Sequence, residues 1–194
     1  MNRLINSNGE VMSSDPWHEI QISSDQDTSS GIGDINIPKD KTDYLLINLD
    51  NWEKINESEP RLFETYSNIG LRLSGEITIS ELLEKLGQQG KLQNPFSKFA
   101  LLQVDIPQLK DGRCFSLAVR IRNQCSYKGE LRAAGNYMLD QIYFMQRCGF
   151  NSFLIDTDID EGILQKILKP FSKVYQRSSD NSFPVTEEKL KDQA

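Results

Sequence analysis

From Asn68 to Gln176 the chain alternates short apolar runs with helix-type segments, and this alternation restricts the fold more than any other feature. NIGLRLSG alternates apolar and polar residues, the period of a strand. In Thr78-Ile-Ser-Glu81 the Thr and the Glu can each satisfy a free backbone N–H, so a capping box opens a helix towards Gly87, with Leu82, Leu83 and Leu86 inward. FALLQVDIP is a continuous apolar run of the kind found in strands buried on both faces. DGRCFSLAVRIRNQ reads as turn and helix, GELRAAG as a short strand, and NYMLDQIYFMQRCGF as a helix closed by Gly149. NSFLIDT is a further strand. Asp158 and Glu161 suggest a second capping box before a helix with Ile163, Leu164, Ile167 and Leu168 inward, ended by Pro170. Strand–helix alternation over residues 68–176 predicts an α/β fold with a mostly parallel sheet and right-handed crossovers. The run is too short for an eight-fold barrel, which leaves a half-barrel or an open sheet.

The flanks differ. LINSNGEV reads as strand, turn, strand, with Asn8-Gly9 as the hairpin signal. Residues 1–22 are expected to form an N-terminal β-hairpin extension. Residues 23–43, rich in Ser, Asp and Gly, are expected to be a mobile linker. DYLLINLDNW begins with an apolar run and marks a strand, and ESEPRLFETYSN a short helix or loop. Residues 44–176 are expected to make one α/β domain, with a polar tail over 177–194. A chain of 194 residues buries about 70% of its surface on folding, enough for one core.

Composition removes several function classes. Lys and Arg number 22 against 28 Asp and Glu, for a net charge of −6, which disfavours a general nucleic-acid binder. The single histidine, His18, argues against a Ser-His-Asp triad and a multi-histidine zinc site. Cys114, Cys125 and Cys148 show neither CxxC nor metal-ligand spacing, and a low odd count fits a reducing cytosol. No apolar run suits a signal peptide or a membrane helix. The expected location is cytoplasmic, with no membrane partner and no metal. Oligomeric state stays open. Gly31-Ile32-Gly33 lacks the third glycine of a dinucleotide fingerprint, and no motif for NAD, FAD, haem or an iron–sulfur cluster is present.

In parallel α/β sheets ligands sit beyond the carboxyl ends of the strands, which points to the loops after Ile106, Ala133 and Ile155. Asp111-Gly112-Arg113 lies after the first. Gly112 permits a tight turn close to a ligand, and the planar fork of Arg113 suits an oxyanion. Free N–H groups of the following helix start, near Ser116, add to this. The alternative is an Asp111 cap paired with Arg113 that locks the turn. Glu130 and Arg132, two apart on a strand, share one face. They either line a site with Arg113 or form an internal ion pair. Asp140, Phe144 and Arg147 share a helix face, which lets Asp140 pair with Arg132, and Gln141 lies one step round. Asp111 and Asp140 are the candidate acid/base residues. Cys114, beside Arg113 near a helix N-terminus, is the redox candidate, against a packing role. Asp156, Asp158 and Asp160 either chelate a hard cation or cap a helix.

The run from Ile106 to Phe153 resembles a family signature: DGR at Asp111–Arg113, then Ser116, Ala118 and Arg122, GELRA at Gly129–Ala133, Gly135, DQ at Asp140–Gln141, and RCGF at Arg147–Phe150. It is similar to the bacterial family called domain of unknown function 934, whose pattern runs DGRGYS, GY-x-GELRA-x-GDV, DQ, RCGF. Cys114, Phe115 and Asn136 depart from it, standing where the family has Gly, Tyr and Asp. The resemblance implies a setting in assimilatory sulfite reduction, an oxidoreductase label without an assigned reaction, and sulfite-reduction enzymes as partners. On that basis the expected function is an accessory or small-anion-binding protein, with two alternatives: an enzyme acting on a sulfur oxyanion, and a purely structural α/β protein. The expected ligand contacts are Asp111, Gly112, Arg113, Ser116, Glu130, Arg132 and Gln141.

Overall fold

The fold is taken from a computed structural model that describes residues 3–12, 14–20, 44–58, 61, 65–86, 96–108, 111–157, 159–171, 174–176 and 178–179. The linker read over 23–43 lies outside the described residues, as do Gly31 to Gly33, Asp158 and most of the tail.

Among the described residues eight strands form one sheet, in the order β2-β1-β8-β7-β6-β5-β4-β3. They are β1 (Arg3–Asn6), β2 (Val11–Met12), β3 (Trp17–Glu19), β4 (Tyr44–Asn48), β5 (Ile69–Ser74), β6 (Leu101–Ile106), β7 (Glu130–Gly135) and β8 (Ser152–Ile155). The sheet is mixed, rather than the mostly parallel one that the alternation predicts. Strands β3 to β8 run parallel, while β1 is antiparallel to both β2 and β8. The hairpin signal at Asn8-Gly9 holds, but the hairpin does not stand apart, because β1 pairs with β8 over four residues.

The link between β2 and β3 forces the sheet to curl. Met12 ends a strand at one edge and Trp17 begins the strand at the other. At about 3.6 Å per residue that link reaches about 18 Å. Flat, the edges of an eight-stranded sheet lie about 34 Å apart. The sheet therefore bends into a trough, and the link crosses its open face.

Helices α1 (Leu49–Ser58), α2 (Ile79–Lys85), α3 (Arg113–Asn123), α4 (Ile142–Cys148) and α5 (Glu161–Leu168) cover the convex side. From β4 to β8 each new strand adds on the same side of the last, so every right-handed crossover places its helix on one face. Leu71, Val104, Ala133 and Phe153 from the strands meet Leu82, Ile121, Met145 and Leu164 from the helices, all fully buried. Each of these side chains larger than Ala133 contributes about 1.5–3 kcal/mol.

Local signals explain most helix ends. Thr78 and Glu81 form the predicted capping box. Gly149, at φ +111°, closes α4 in the left-handed region that favours glycine. Three readings need correction. Helix α1 starts directly after β4, where Asn48 Oδ1 accepts the Asp50 N–H at 3.0 Å, so LDNW belongs to a helix that buries Leu49, Trp52 and Ile55. Leu139–Gln141 is a separate 3₁₀ turn, and α4 proper begins at Ile142. Asp160, not Asp158, caps α5, accepting from the Gly162 and Ile163 N–H groups. That register turns Ile163 outward, while Leu164 and Leu168 stay buried.

Candidate functional site

The concave face is polar where the convex face is apolar. Strand alternation gives it every second residue. One register row across it reads Asn48, Arg72, Gln103, Arg132, Ser152, Asn6. Two arginines in this row organise the rest. Arg132 donates from Nη1 to Asp15 Oδ2 at 2.8 Å, and from Nη2 and Nε to Glu130 Oε1 at 3.0 and 3.2 Å. Its side chain is 0% exposed. Arg72 donates from Nε to Asp105 Oδ2 at 2.6 Å and from Nη1 to both carboxylate oxygens of Glu19. Burial opposes the charge on Arg72, but the Asp105 and Glu19 carboxylates outweigh it and raise its pKa. Gln103 bridges towards the same network, donating to Asp105 Oδ1 at 3.1 Å. Asp15 lies in the crossing link and Glu19 in β3, so both arginines fasten the N-terminal segment across the trough. Trp17 closes down on Gly70, where a Cβ would lie 2.8 Å from its ring.

Arg113 stands elsewhere. It opens α3, which packs on the convex side, and its side chain is 59% exposed. Its Nε donates to both Asp111 oxygens at 3.0 Å, and its Nη2 donates to Asp111 at 2.6 Å and to Glu76 at 2.7 Å. These hydrogen bonds hold the Asp111 carboxyl below its usual range and keep the guanidinium protonated. No hydrogen bond or ion pair among the described residues joins this cluster to Arg132 and Glu130. The site predicted from the sequence is therefore two sites, on opposite sides of the sheet.

The Arg113 cluster borders an open cleft of about 550 Å³ between the start of α2 and one face of α3. Arg113, Ser116, Leu117 and Arg120 follow helical spacing along that face. Thr78, Ile77 and Glu76 form the opposite wall. The Arg120 side chain has no hydrogen-bond or ion-pair partner among the described residues, and the Nη1 of Arg113 has no acceptor there. Two guanidinium groups thus line the cleft, with the Glu76 and Asp111 carboxylates both on Arg113 and none on Arg120 among the described residues.

The remaining predicted residues separate further. Asp140 is exposed on the 3₁₀ turn and does not pair with Arg132, whose fork is filled by Asp15 and Glu130. It lines a cleft of about 620 Å³ beyond the ends of β7 and β8, with Asn136, Tyr137 and Asp156. Gln141 works locally, its Oε1 accepting the Met138 N–H at 3.2 Å. Asn136 ties the end of β7 to the Pro107 carbonyl at 3.0 Å. The Cys114 thiol is buried under the Asp111 carbonyl, and burial pushes its pKa up, opposite to the shift an activated thiolate needs. A third cleft, of about 500 Å³, lies past the ends of β4, β5 and β6, bordered by Arg72, Ser74, Lys85 and Asp105.

Sequence reasoning did not single out Asp15, Glu19, Arg72, Gln103, Asp105, Arg120 or Ser152. Two of them had a signal. Gln103 and Asp105 are polar residues two apart inside an apolar run, which places both on one face of a buried strand.

Much of the family-like signature supports the base of the trough rather than a cleft. Arg122 donates to the carbonyls of Gly149, Tyr127 and Gly129 at 2.8, 2.9 and 2.9 Å. The Tyr127 hydroxyl lies within hydrogen-bond distance of the Phe99 and Glu130 carbonyls.

A model of the family described as bacterial protein of unknown function (DUF934) matches residues 82–186. No curated protein and no solved structure matches the chain. The matched span takes in β6 to β8, the α3 wall of the Arg113 cleft, Arg132 and the Arg122 clamp, while the wall from Glu76 to Ile79 precedes it. It covers more than half of the 194 residues, and the chain belongs to the DUF934 family of bacterial proteins.

Proposed function

We propose that this protein binds a small oxyanion in the cleft between α2 and α3, as an accessory protein of assimilatory sulfite reduction. The observation that carries the binding reading is the pair Arg113 and Arg120. Both line one cleft, and both keep guanidinium N–H groups without an acceptor among the described residues. Ser116 adds a hydroxyl on the same helix face. Asp111 orients Arg113 from behind rather than taking a proton, since its carboxyl is held ionised. Glu76 accepts from the same Nη2 that donates to Asp111, which leaves Nη1 as the open edge of the fork. Arginine forks of this kind match the oxygens of sulfate, sulfite or phosphate. The sulfur setting rests on the sequence resemblance described above.

The test is growth of a bacterial strain whose own copy carries Arg113→Ala. Growth on sulfate as sulfur source is expected to slow, and growth on cysteine to stay normal. Equal growth on both would count against the sulfur-assimilation setting.

One observation favours an enzyme instead. Asp140 and Asp156 border the same cleft beyond two strand ends, where paired carboxylates serve as acid and base. On that reading Asp140→Asn, and not Arg113→Ala, abolishes growth on sulfate.

A further inference from the structure

The concave face holds buried polar groups whose hydrogen-bonding capacity the fold leaves unused. Arg132 is 0% exposed, and its neighbours in the register row, Gln103 and Ser152, are 5% and 4% exposed. The Ser152 hydroxyl has no hydrogen-bond partner among the described residues. Gln103 uses one amide N–H, to Asp105, and its Oε1 accepts nothing from them. A buried polar atom without a partner carries a desolvation cost that folds ordinarily avoid. Here two such side chains flank one buried guanidinium, on three adjacent strands and on the same face.

Asp15 is the member of this cluster that comes from outside the parallel strands. It sits in the link that crosses the trough, and its carboxylate takes the Nη1 of Arg132. Glu130 holds the other edge of the fork, through Nε and Nη2. The Asp15 side chain is partly exposed while Arg132 is not. The carboxylate of Asp15 therefore stands between solvent and the guanidinium.

We propose that Arg132, Gln103 and Ser152 form a second, enclosed site for a small oxyanion, and that the Asp15 carboxylate holds the ligand's place in this structure. Exchange of Asp15 for a free anion keeps a negatively charged partner on Arg132, so the guanidinium is never left buried and unpaired. The entering oxygens accept from Arg132 Nη1, the Ser152 hydroxyl and the Gln103 amide. A tetrahedral or pyramidal oxyanion offers a third oxygen that a planar carboxylate lacks, which lets it reach Ser152 as well. This site lies on the other face of the sheet from Arg113 and is independent of the cleft proposed above.

The experiment follows the melting temperature of the full chain against sodium sulfate, with ionic strength held constant by chloride. Asp15→Asn removes the competing carboxylate. It is expected to reach its half-maximal shift at about tenfold lower sulfate than the wild type, the scale of one charged hydrogen bond. Adding Ser152→Ala should cancel that gain, and adding Arg113→Ala should leave it intact. An Asp15→Asn protein no more responsive than the wild type overturns the proposal, as does a gain that survives Ser152→Ala. A second reading needs only variants outside the network. In a Trp52→Phe protein, sulfate that displaces Asp15 shifts the emission of Trp17, two residues along the link, and emission that stays constant throughout the titration also overturns the proposal. A wild-type response that vanishes only with Arg113→Ala reports on the surface cleft, so the two readings fail separately.

Discussion

Arg122 Nε donates to the Gly149 carbonyl at 2.8 Å, and a Cβ on Gly149 would fall 2.5 Å from Arg122 Cγ. With Arg122 in this position, residue 149 has no room for a side chain. The same guanidinium takes the Tyr127 and Gly129 carbonyls, so it joins the end of α3 to the starts of β7 and β8. Burial lowers the Arg122 pKa, with only the Tyr127 phenol opposing it, so the charge is held by backbone carbonyls rather than by a carboxylate.

Arg122→Ala is expected to destabilise the fold by about 3 kcal/mol, the scale of a lost network of charged hydrogen bonds to buried carbonyls. Arg122→Lys should recover only part, because one ammonium cannot span three acceptors in a fixed fork. Gly149→Ala should cost about 2 kcal/mol from its positive φ and the contact with Arg122. Urea unfolding measures all three.

Tyr127 is buried and Tyr137 partly buried, and desolvation is the chief cause that pushes both phenol pKa values above the usual tyrosine range. A raised folded-state pKa contributes stability that is present below the unfolded value and lost as pH rises through the folded one. Alkaline titration followed by phenolate absorbance should therefore leave Tyr127 and Tyr137 un-ionised until the protein unfolds. Six phenols titrating together near pH 10, with the fold intact, would contradict this.

Cys114 and Cys125 are buried thiols, and burial raises the pKa of each. Native protein at neutral pH is expected to resist alkylation at both, and denatured protein to react at all three cysteines. Mass spectrometry after iodoacetamide treatment reads this directly, and rapid native labelling of Cys114 would restore its redox candidacy.

The capping box of α2 predicts a smaller effect. Thr78→Ala should cost about 1 kcal/mol. The Thr78 backbone and side-chain hydrogen bonds lower the Glu81 pKa. A lowered folded-state value gives stability that is present above the unfolded pKa and lost as pH falls through the folded one. The penalty of Thr78→Ala should therefore shrink in acid, which thermal melts at neutral and acid pH compare.

The strands from β5 onward were legible because period and capping agree there. NIGLRLS, ALLQVDI, ELRAAG and SFLI each stand as a strand, and Gly149 and the Thr78–Glu81 box mark real helix ends. What the sequence hid was long-range. Nothing local tells that Trp17–Glu19 pairs with β4 at the far edge while Leu4 and Ile5 pair with β8. Asp15 therefore could not be matched to Arg132, 117 residues away. The same curl explains why Arg113 and Arg132 seemed to belong together. One lies at a helix start on the convex side, the other on a strand face inside the trough, and one-dimensional spacing does not separate the two sides of a sheet.

The central claim is that the cleft bordered by Arg113 and Arg120 takes a small oxyanion. The most direct measurement is calorimetric titration of the full chain with sulfite and with sulfate, for the wild type and for Arg120→Ala. The account predicts a saturable phase of one anion per chain at this cleft, weakened about tenfold by Arg120→Ala, the scale of one charged hydrogen bond, and lost when Arg113→Ala is added, while any weaker phase at the site that Asp15 occupies remains. Binding of equal strength in the wild type and the double variant, or no binding of either anion to the wild type, would contradict it.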